Sequence, residues 1–364
     1  MSTRNKLFIN LHTVQENLRK LKRIAGNRTC FAVLKADAYG LGALPVYKAI
    51  ESMVDGVCIA IPEEAKALID GGCTKPILCF GFFPEEWWDY YLENEIRVAI
   101  YSLDLARKMN AFAKERKKKF YVHIALDTGH SRVGFMWNDP DIEEKLKVID
   151  QMENLVVEGT YTHFASADVL SSHQTEDQIA RYKQVTDLPN INFGIKHLCN
   201  DAGLIAFPEA RFEGFRTGTG LYGIYPTEDI ENASEEHLEL AISWETVVIH
   251  VKEIEEGTPV SYGATWVAPR KTKVATIQVG YADGYPRLFS NQGKVKINGV
   301  LCPIIGRVCM DQSMVDVTGL DVEVGDKVIL MDEDLDPNYF GDLAHTISYE
   351  VLTSINPRVT RVYI

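Results

Sequence analysis

The chain has 364 residues, 46% of them hydrophobic and 24% charged, with a net charge of −13. That length and balance describe a globular protein with room for two domains. The negative charge excludes nucleic acid and anionic membrane as partners, because both require a basic footprint. The one basic run, Lys114 to Lys119, follows a helical pattern and complements the C-terminus of that helix. Seven scattered cysteines without a Cys-x-x-Cys pair point to reduced thiols in a cytoplasmic setting. They argue against a structural zinc site, and no metal is expected. No apolar run reaches membrane-spanning length, and Met1 to Ile9 has no leader-like pattern. The chain begins almost directly on its first element, as the soluble part of a longer protein would also do.

Thr13 to Glu16 has the form of a capping box, and Val14, Leu18, Leu21 and Ala25 then repeat at helical spacing up to Gly26. An apolar run from Phe31 to Leu34 reads as a buried strand. Further strands are predicted at Gly56–Ala60, Pro76–Phe80, Arg97–Ile100, Tyr121–Leu126, Val157–His163, Ile195–Cys199 and Phe215–Tyr222. Helical patterns such as Glu63–Ile69 and Leu103–Lys114 lie between them. Eight alternations over roughly 230 residues predict an α/β fold with an N-terminal (β/α)8 barrel. A doubly wound dinucleotide-binding sheet is the rival, but no Gly-x-Gly-x-x-Gly follows the first strand.

The pattern changes after Pro226. The acidic stretch Glu228–Glu239 reads as a solvated connection, and strand-like runs follow at Trp244–Val251, Lys273–Val279, Lys294–Ile297, Val300–Cys302 and Asp326–Met331. Asn298-Gly299 between two of them is a strong hairpin signal. The predicted division is a barrel over residues 1–234 and a mostly β domain over residues 235–364.

In such a barrel the chemistry collects at the C-terminal strand ends. The first strand ends on Lys35, followed closely by Tyr39. A lone ammonium at the end of a buried strand is costly unless it reaches solvent or serves as a partly desolvated amine. The fifth strand leads into Asp127, His130 and Arg132, the sixth into His163, the seventh into Asn200 and Asp201. The eighth carries Arg216 and the turn Thr217-Gly218-Thr219-Gly220, whose backbone N–H groups form an anion cradle. Singly, each has an ordinary reading: a glycine-rich turn, a hydrogen-bonded histidine, an arginine in a surface ion pair. Together, an imine-forming lysine and a phosphate cradle point to pyridoxal phosphate.

These residues carry a resemblance to the alanine racemase family of fold-type III pyridoxal-phosphate enzymes. Ala32 to Gly42 resembles its cofactor-lysine motif. Asp127-Thr128-Gly129 with Arg132-Val133-Gly134, Thr162-His163-Phe164 and Leu221-Tyr222-Gly223 are similar to its barrel motifs. In the second domain Ser261-Tyr262-Gly263, Val279 to Arg287 and Gly306 to Gln312 resemble its other signatures, as does the Arg358-Val359-x-Arg361 ending.

The resemblance implies interconversion of L- and D-alanine, with serine or another small amino acid as an alternative substrate. A non-catalytic pyridoxal-phosphate-binding protein is the alternative of another class. By the same resemblance Lys35 and Tyr262 are the two bases, one on each face of the α-carbon, with Tyr262 supplied by the partner in a head-to-tail homodimer. Tyr39, Tyr349, Asn200, Asp201, Gly218 and Thr219 surround the phosphate. His163 and Arg216 accompany the cofactor ring, with Arg216 at the pyridine nitrogen. Arg132, Met310 and Asp311 belong to the substrate side.

Three departures from the family pattern stand out. Asp201 replaces a serine and would repel a phosphate, so the Thr219 hydroxyl is expected to compensate. Ala125 replaces a modifiable lysine, so Arg132 is expected to be braced by another group. His130-Ser131 replaces Met-Gly near the pocket.

Overall fold

A computed structural model describes residues 5–364. The first strand, β1 (Lys6–Ile9), precedes a helix at Leu11–Ala25. That helix buries Val14, Leu18, Leu21 and Ile24 on one face, at the helical spacing of its apolar residues. Its start differs from the capping box read at Thr13: the cap is Asn10, whose side-chain oxygen accepts the Thr13 N–H at 3.1 Å. Gly26, at φ +69°, closes the far end by donating to the carbonyls of Lys22 and Arg23.

The next strands are β2 (Thr29–Val33), β3 (Gly56–Ile59), β4 (Ile77–Cys79), β5 (Arg97–Ile100), β6 (Phe120–Asp127), β7 (Phe135–Met136), β8 (Leu155–Tyr161), β9 (Ile195–Cys199) and β10 (Gly214–Thr217). Eight of them close a parallel ring in the order β5, β4, β3, β2, β10, β9, β8, β6, with β5 pairing back to β6. The short β7 hangs on the end of β6. This is the barrel expected from the alternating pattern. The last barrel strand is shorter than the run Phe215–Tyr222, because Thr219–Tyr222 coils into a 3-10 turn. Register sets the geometry of the rim. Arg216 lies opposite Phe31, and Thr217 opposite Ala32, so Arg216 stands level with a residue four positions before Lys35.

The second domain is a sheet built from β11 (Ile242–Ile254), β14 (Thr272–Ile277), β15 (Lys294–Ile297), β16 (Val300–Pro303), β17 (Ser313–Asp316), β18 (Lys327–Met331) and β19 (Thr360–Tyr363), with a small ribbon of β12 (Pro259–Val260) and β13 (Trp266–Val267) beside it. The Asn298-Gly299 hairpin is present, both residues at positive φ, joining β15 to β16. The sheet also takes in β1, which lies antiparallel to β11 on one side and parallel to β19 on the other. Strand β1 therefore belongs by hydrogen bonding to the sheet built from residues after 241, although it precedes the barrel in the chain. Trp244, Tyr285, Phe289 and Phe340 fill the core of this domain edge to face, with ring centroids 4.8–6.1 Å apart along the series. The acidic stretch after Pro226 is a short helix, Glu228–Ala233, and a segment whose Glu236 and Glu239 pair with Arg23 and Lys20.

Candidate active site

Lys35 lies one residue beyond the end of β2, after Leu34, and opens an unusual turn. Ala36, Asp37, Ala38 and Tyr39 all adopt left-handed backbone conformations, with φ from +52° to +59°. For L-residues this costs about 1–2 kcal/mol each, so the turn needs external support. The Glu64 carboxylate supplies part of it. Its Oε1 accepts the Ala36 N–H at 2.6 Å, and its Oε2 accepts the Ala60 N–H at 2.8 Å, clipping the lysine turn to the end of β3. Asp37 adds a bond from the Ala43 N–H at 2.7 Å, and Arg361 of the second domain donates to the Gly40 carbonyl at 3.0 Å. Burial pushes the Lys35 ammonium below its usual range, and the charge of Arg132 adds to that push.

Lys35 faces a cavity of about 610 Å³ at the C-terminal rim of the barrel. Of the residues named from sequence, Tyr39, Arg132, His163, Asn200, Asp201, Arg216, Gly218, Thr219 and Tyr349 also line it. Tyr262, Met310 and Asp311 do not. Tyr262 sits on an exposed turn at 71% accessibility, and Met310 is 53% accessible. The Asp311 carboxylate is held by Arg358 at 2.7 Å, which also pairs with the buried Asp283 at 2.9 Å.

Arg216 is buried with no carboxylate partner among the described residues. Its Nη2 donates to the carbonyls of Thr162 at 2.9 Å and Leu198 at 3.0 Å, and its Nη1 donates to the His197 carbonyl. Nη1 also meets His197 Nδ1 at 3.0 Å, and His197 Nε2 meets His123 Nδ1 at 2.7 Å. Arginine only donates, so His197 Nδ1 accepts and its Nε2–H donates to His123. Both imidazoles are then neutral. Burial is the main cause that holds them in that form, pushing His123 down to about 3 and His197 well below its ordinary value. His163 Nδ1 lies 3.4 Å from Arg216 Nη2, and His163 is likewise held neutral by burial and by the neighbouring Arg216 charge.

Part of the cavity is a cup made by the β9 and β10 turns together with Tyr39 and Tyr349. A Cβ on Gly218 would fall 2.4 Å from the Tyr39 hydroxyl, so the turn can approach that phenol only without a side chain. Thr219 Oγ1 is bonded to the Tyr349 hydroxyl at 3.1 Å. Asn200 caps the helix Asp201–Ala206 through the Gly203 N–H at 2.9 Å. Asp201 is buried, and its Oδ2 accepts the N–H groups of Gly218 at 2.9 Å and Gly220 at 3.0 Å. The Gly218 donor expected to face an anion is thus engaged by the chain's own carboxylate.

At Ala125 the side chain that the family pattern places near Arg132 is replaced by apolar packing. Ala125 packs with Ala99 and Tyr161, flanked by Phe80 and Tyr101, in a small apolar cluster. Arg132 itself is exposed and lines the cavity, and among the described residues its guanidinium makes no hydrogen bond or ion pair. His130 stacks obliquely on His163 with centroids 5.4 Å apart, and its Nδ1 is buried without a partner. Asp127 Oδ1 steadies the loop between them by accepting the N–H groups of Gly129 and Ser131, both at 3.0 Å. Sequence reading missed Glu64, His197 and Gln178, whose Nε2 donates to the His163 carbonyl at 2.9 Å. A histidine in a strand whose other inward and flanking residues, Ile195, Leu198 and Cys199, are apolar was the available signal for His197. Among the described residues no cluster of three His, Cys, Asp or Glu side chains suits a metal, and no helix is long and apolar enough to cross a membrane.

A barrel whose rim gathers a desolvated lysine, a buried arginine and a cup of phenols, a hydroxyl and glycine turns around one cavity is an enzyme scaffold for imine chemistry on a phosphorylated aldehyde. Comparison with known proteins narrows this class. Residues 9–226 match the family model "Alanine racemase, N-terminal domain", and residues 241–363 match "Alanine racemase, C-terminal domain". The chain is 36% identical over 366 residues to an alanine racemase of Clostridium novyi, covering 98% of this chain and 94% of that one. The alanine racemase of Clostridium difficile 630 superposes with a TM-score of 0.93 at 35% identity, covering 100% of this chain and 96% of that one. The alanine racemase from Bartonella henselae with covalently bound pyridoxal phosphate gives 0.91 at 28% identity, covering 99% of each chain. The chain belongs to the alanine racemase family.

Proposed function

We propose that this chain is a pyridoxal-phosphate-dependent racemase that interconverts L- and D-alanine. The observation that carries the reading is the placement of Lys35: a partly desolvated amine in a cationic cavity, beside a buried arginine that no carboxylate neutralises. The residues present fit the cofactor. The cup offers the phenols of Tyr39 and Tyr349 and the Thr219 hydroxyl, and it contains one buried oxygen, Asp201 Oδ1, with no partner. Lys35 would hold the cofactor covalently, and Tyr39, Tyr349 and Thr219 would hold its phosphate, with Asn200 and Gly218 lining the cup around it. Arg216 would meet the pyridine nitrogen, and His163 would flank the ring. When bound, the cofactor delocalises the electron pair left behind by the α-proton. An arginine at the nitrogen cannot accept a proton from it or return one, which limits that delocalisation and keeps the outcome to proton exchange.

Racemisation needs one base to remove the α-proton and another to deliver a proton to the opposite face. Lys35 Nζ serves one face. Its lowered pKa supports the neutral amine needed to accept a proton near neutrality. The phenol of Tyr262 serves the other. Its distance from the cavity of its own protomer supports supply from the partner, in a head-to-tail homodimer where Met310 and Asp311 also reach the other site. Arg132 would hold the substrate carboxylate. Tyr349 narrows the cavity and supports a small substrate side chain. The alanine racemase relatives favour alanine over serine and disfavour a non-catalytic role. The functional division is at residues 234 and 235, with β1 crossing to the second sheet. All seven cysteines are free, five of them buried, which supports a cytoplasmic setting.

The test is conversion of L-alanine in deuterium oxide. D-alanine should form with deuterium at the α-carbon, and the K35A variant should lose both turnover and the visible absorbance that the cofactor gains on binding lysine. Turnover by K35A at the wild-type rate, or D-alanine without deuterium, would remove the proposal. L-serine compared by kcat/KM in the same assay ranks the substrates; an apolar pocket discriminates one hydroxyl by about 10²-fold at most.

A further inference from the structure

Asp201 is a buried carboxylate in a cup that also has to hold an anion. Its Oδ2 is committed to the N–H groups of Gly218 and Gly220. Its Oδ1 is buried and makes no hydrogen bond of ordinary geometry; the nearby Thr217 hydroxyl, likewise buried and unpartnered, acts weakly on the carboxyl against the effect of burial. The absence of a side chain at Gly220 preserves this arrangement, since a Cβ there would lie 2.9 Å from Oδ1. Among the described residues Asp201 makes no ion pair. The titratable groups that face it are the phenols of Tyr39, Tyr222 and Tyr349 and the thiol of Cys30. Burial pushes all four upward, Cys30 and Tyr349 up to about 12, so each is neutral and none brings a positive charge. The cations of the cavity, Lys35, Arg132 and Arg216, line it without pairing with this carboxylate.

An ionised Asp201 next to a phosphate dianion would place like charges side by side in a poorly solvated cup. The two backbone donors that might offset them are already in use. We propose that Asp201 meets the phosphate as a neutral acid: Oδ2 keeps its two N–H donors, while Oδ1 takes a proton from solvent and donates it to a phosphate oxygen. The residue that looks like a defect in the cup is then its missing donor, and cofactor loading is coupled to uptake of one proton. Burial already holds the carboxyl above the usual carboxylate range, which prepares it for this step. The inference rests on the pyridoxal-phosphate reading given above.

The experiment compares pyridoxal phosphate with pyridoxal on the purified wild-type protein and on D201N, whose amide imitates the neutral acid at every pH. Binding is followed by absorbance across pH, and proton uptake by calorimetry in two buffers of different ionisation enthalpy. In acid, wild type and D201N should bind pyridoxal phosphate alike. Above the carboxyl's own pKa the wild type should lose up to about tenfold in affinity per pH unit relative to D201N. It should also take up close to one proton more than D201N on loading. Pyridoxal, which lacks the phosphate, should show neither difference. Parallel pH profiles for the two proteins, or equal proton uptake, would overturn the inference while leaving the cofactor assignment intact. Failure of the wild type to bind pyridoxal phosphate at all would overturn both. The proton count on wild-type protein, pyridoxal phosphate against pyridoxal, keeps the test decisive should D201N fold poorly, because equal uptake for the two ligands refutes the coupling by itself.

Discussion

Gly218→Ala should disrupt the phosphate cup through one contact. The added Cβ would lie 2.4 Å from the Tyr39 hydroxyl, 3.2 Å from its Cζ and 3.5 Å from its Cε2. Restoring an ordinary carbon–oxygen contact requires the phenol to retreat by nearly 1 Å. Tyr39 has little freedom to do so. It is buried between Tyr222 and Tyr349, with ring centroids at 6.4 and 5.8 Å, and its backbone is held in the left-handed turn. Overpacking of this kind costs about 1–3 kcal/mol, equivalent to a roughly fivefold to 150-fold loss if it falls on cofactor binding. The assay is the dissociation constant for pyridoxal phosphate in wild type, G218A, Y39F and the double variant. Y39F removes the clashing oxygen and leaves Cζ at a distance that a small shift relieves. G218A should therefore weaken binding strongly beside Tyr39 and only a few-fold in the Y39F background, giving a coupling of about 1 kcal/mol or more. Equal effects of G218A in both backgrounds would show that the clash is not what the glycine avoids.

Mixing K35A with Y262A, each inactive alone, should restore about a quarter of wild-type turnover, because half of randomly re-formed dimers carry one site with both bases; no recovery would contradict a shared site. Glu64→Ala should loosen the lysine turn by removing the acceptor of the Ala36 and Ala60 N–H groups, at about 1–3 kcal/mol. It should slow bond formation between Lys35 and pyridoxal phosphate without abolishing it, and an unchanged rate would refute a bracing role. His123, His163 and His197 are all depressed, so the stability they confer as neutral groups is present above about pH 6.5 and is lost as pH falls toward the folded value, about 3 for His123. The thermal midpoint should therefore drop between pH 6.5 and pH 4.5, and a flat profile would exclude this contribution.

The barrel was legible because each of its strands is a short apolar run bounded by turn residues, and because Lys35 interrupts such a run with a charge. The cup was legible from Gly218 and Gly220. The left-handed turn was not, since Ala36, Asp37 and Ala38 have no preference for that backbone and are held in it by Glu64 and by Arg361 from the far end of the chain. The partner of Lys6–Ile9 was equally hidden: four alternating residues fit either sheet, and only tertiary pairing decides. The engagement of Asp201 with Gly218 and Gly220 depends on two loops meeting in space, whereas the sequence displays only an acidic residue where a hydroxyl is usual. At Ala125 the small side chain announced the loss of a lysine, but not that it would pack with Ala99 and Tyr161 in an apolar cluster.

The pairing of β1 with β19 has a consequence for synthesis. Lys6 meets Thr360 and Ile9 meets Tyr363, so a segment made early has one of its two neighbours roughly 350 residues downstream. At about 5–20 residues per second, β1 spends on the order of 20–70 s without that neighbour while the whole barrel emerges behind it. The barrel has all eight of its strands by Thr217 and is free to close first. A ribosome-bound chain would then pass through a stage with a finished barrel and an open sheet edge, and the closing stitch is the one that also anchors Arg361 to the lysine turn. Completion of the sheet and bracing of the turn that carries Lys35 would thus arrive together, late in the life of the nascent chain.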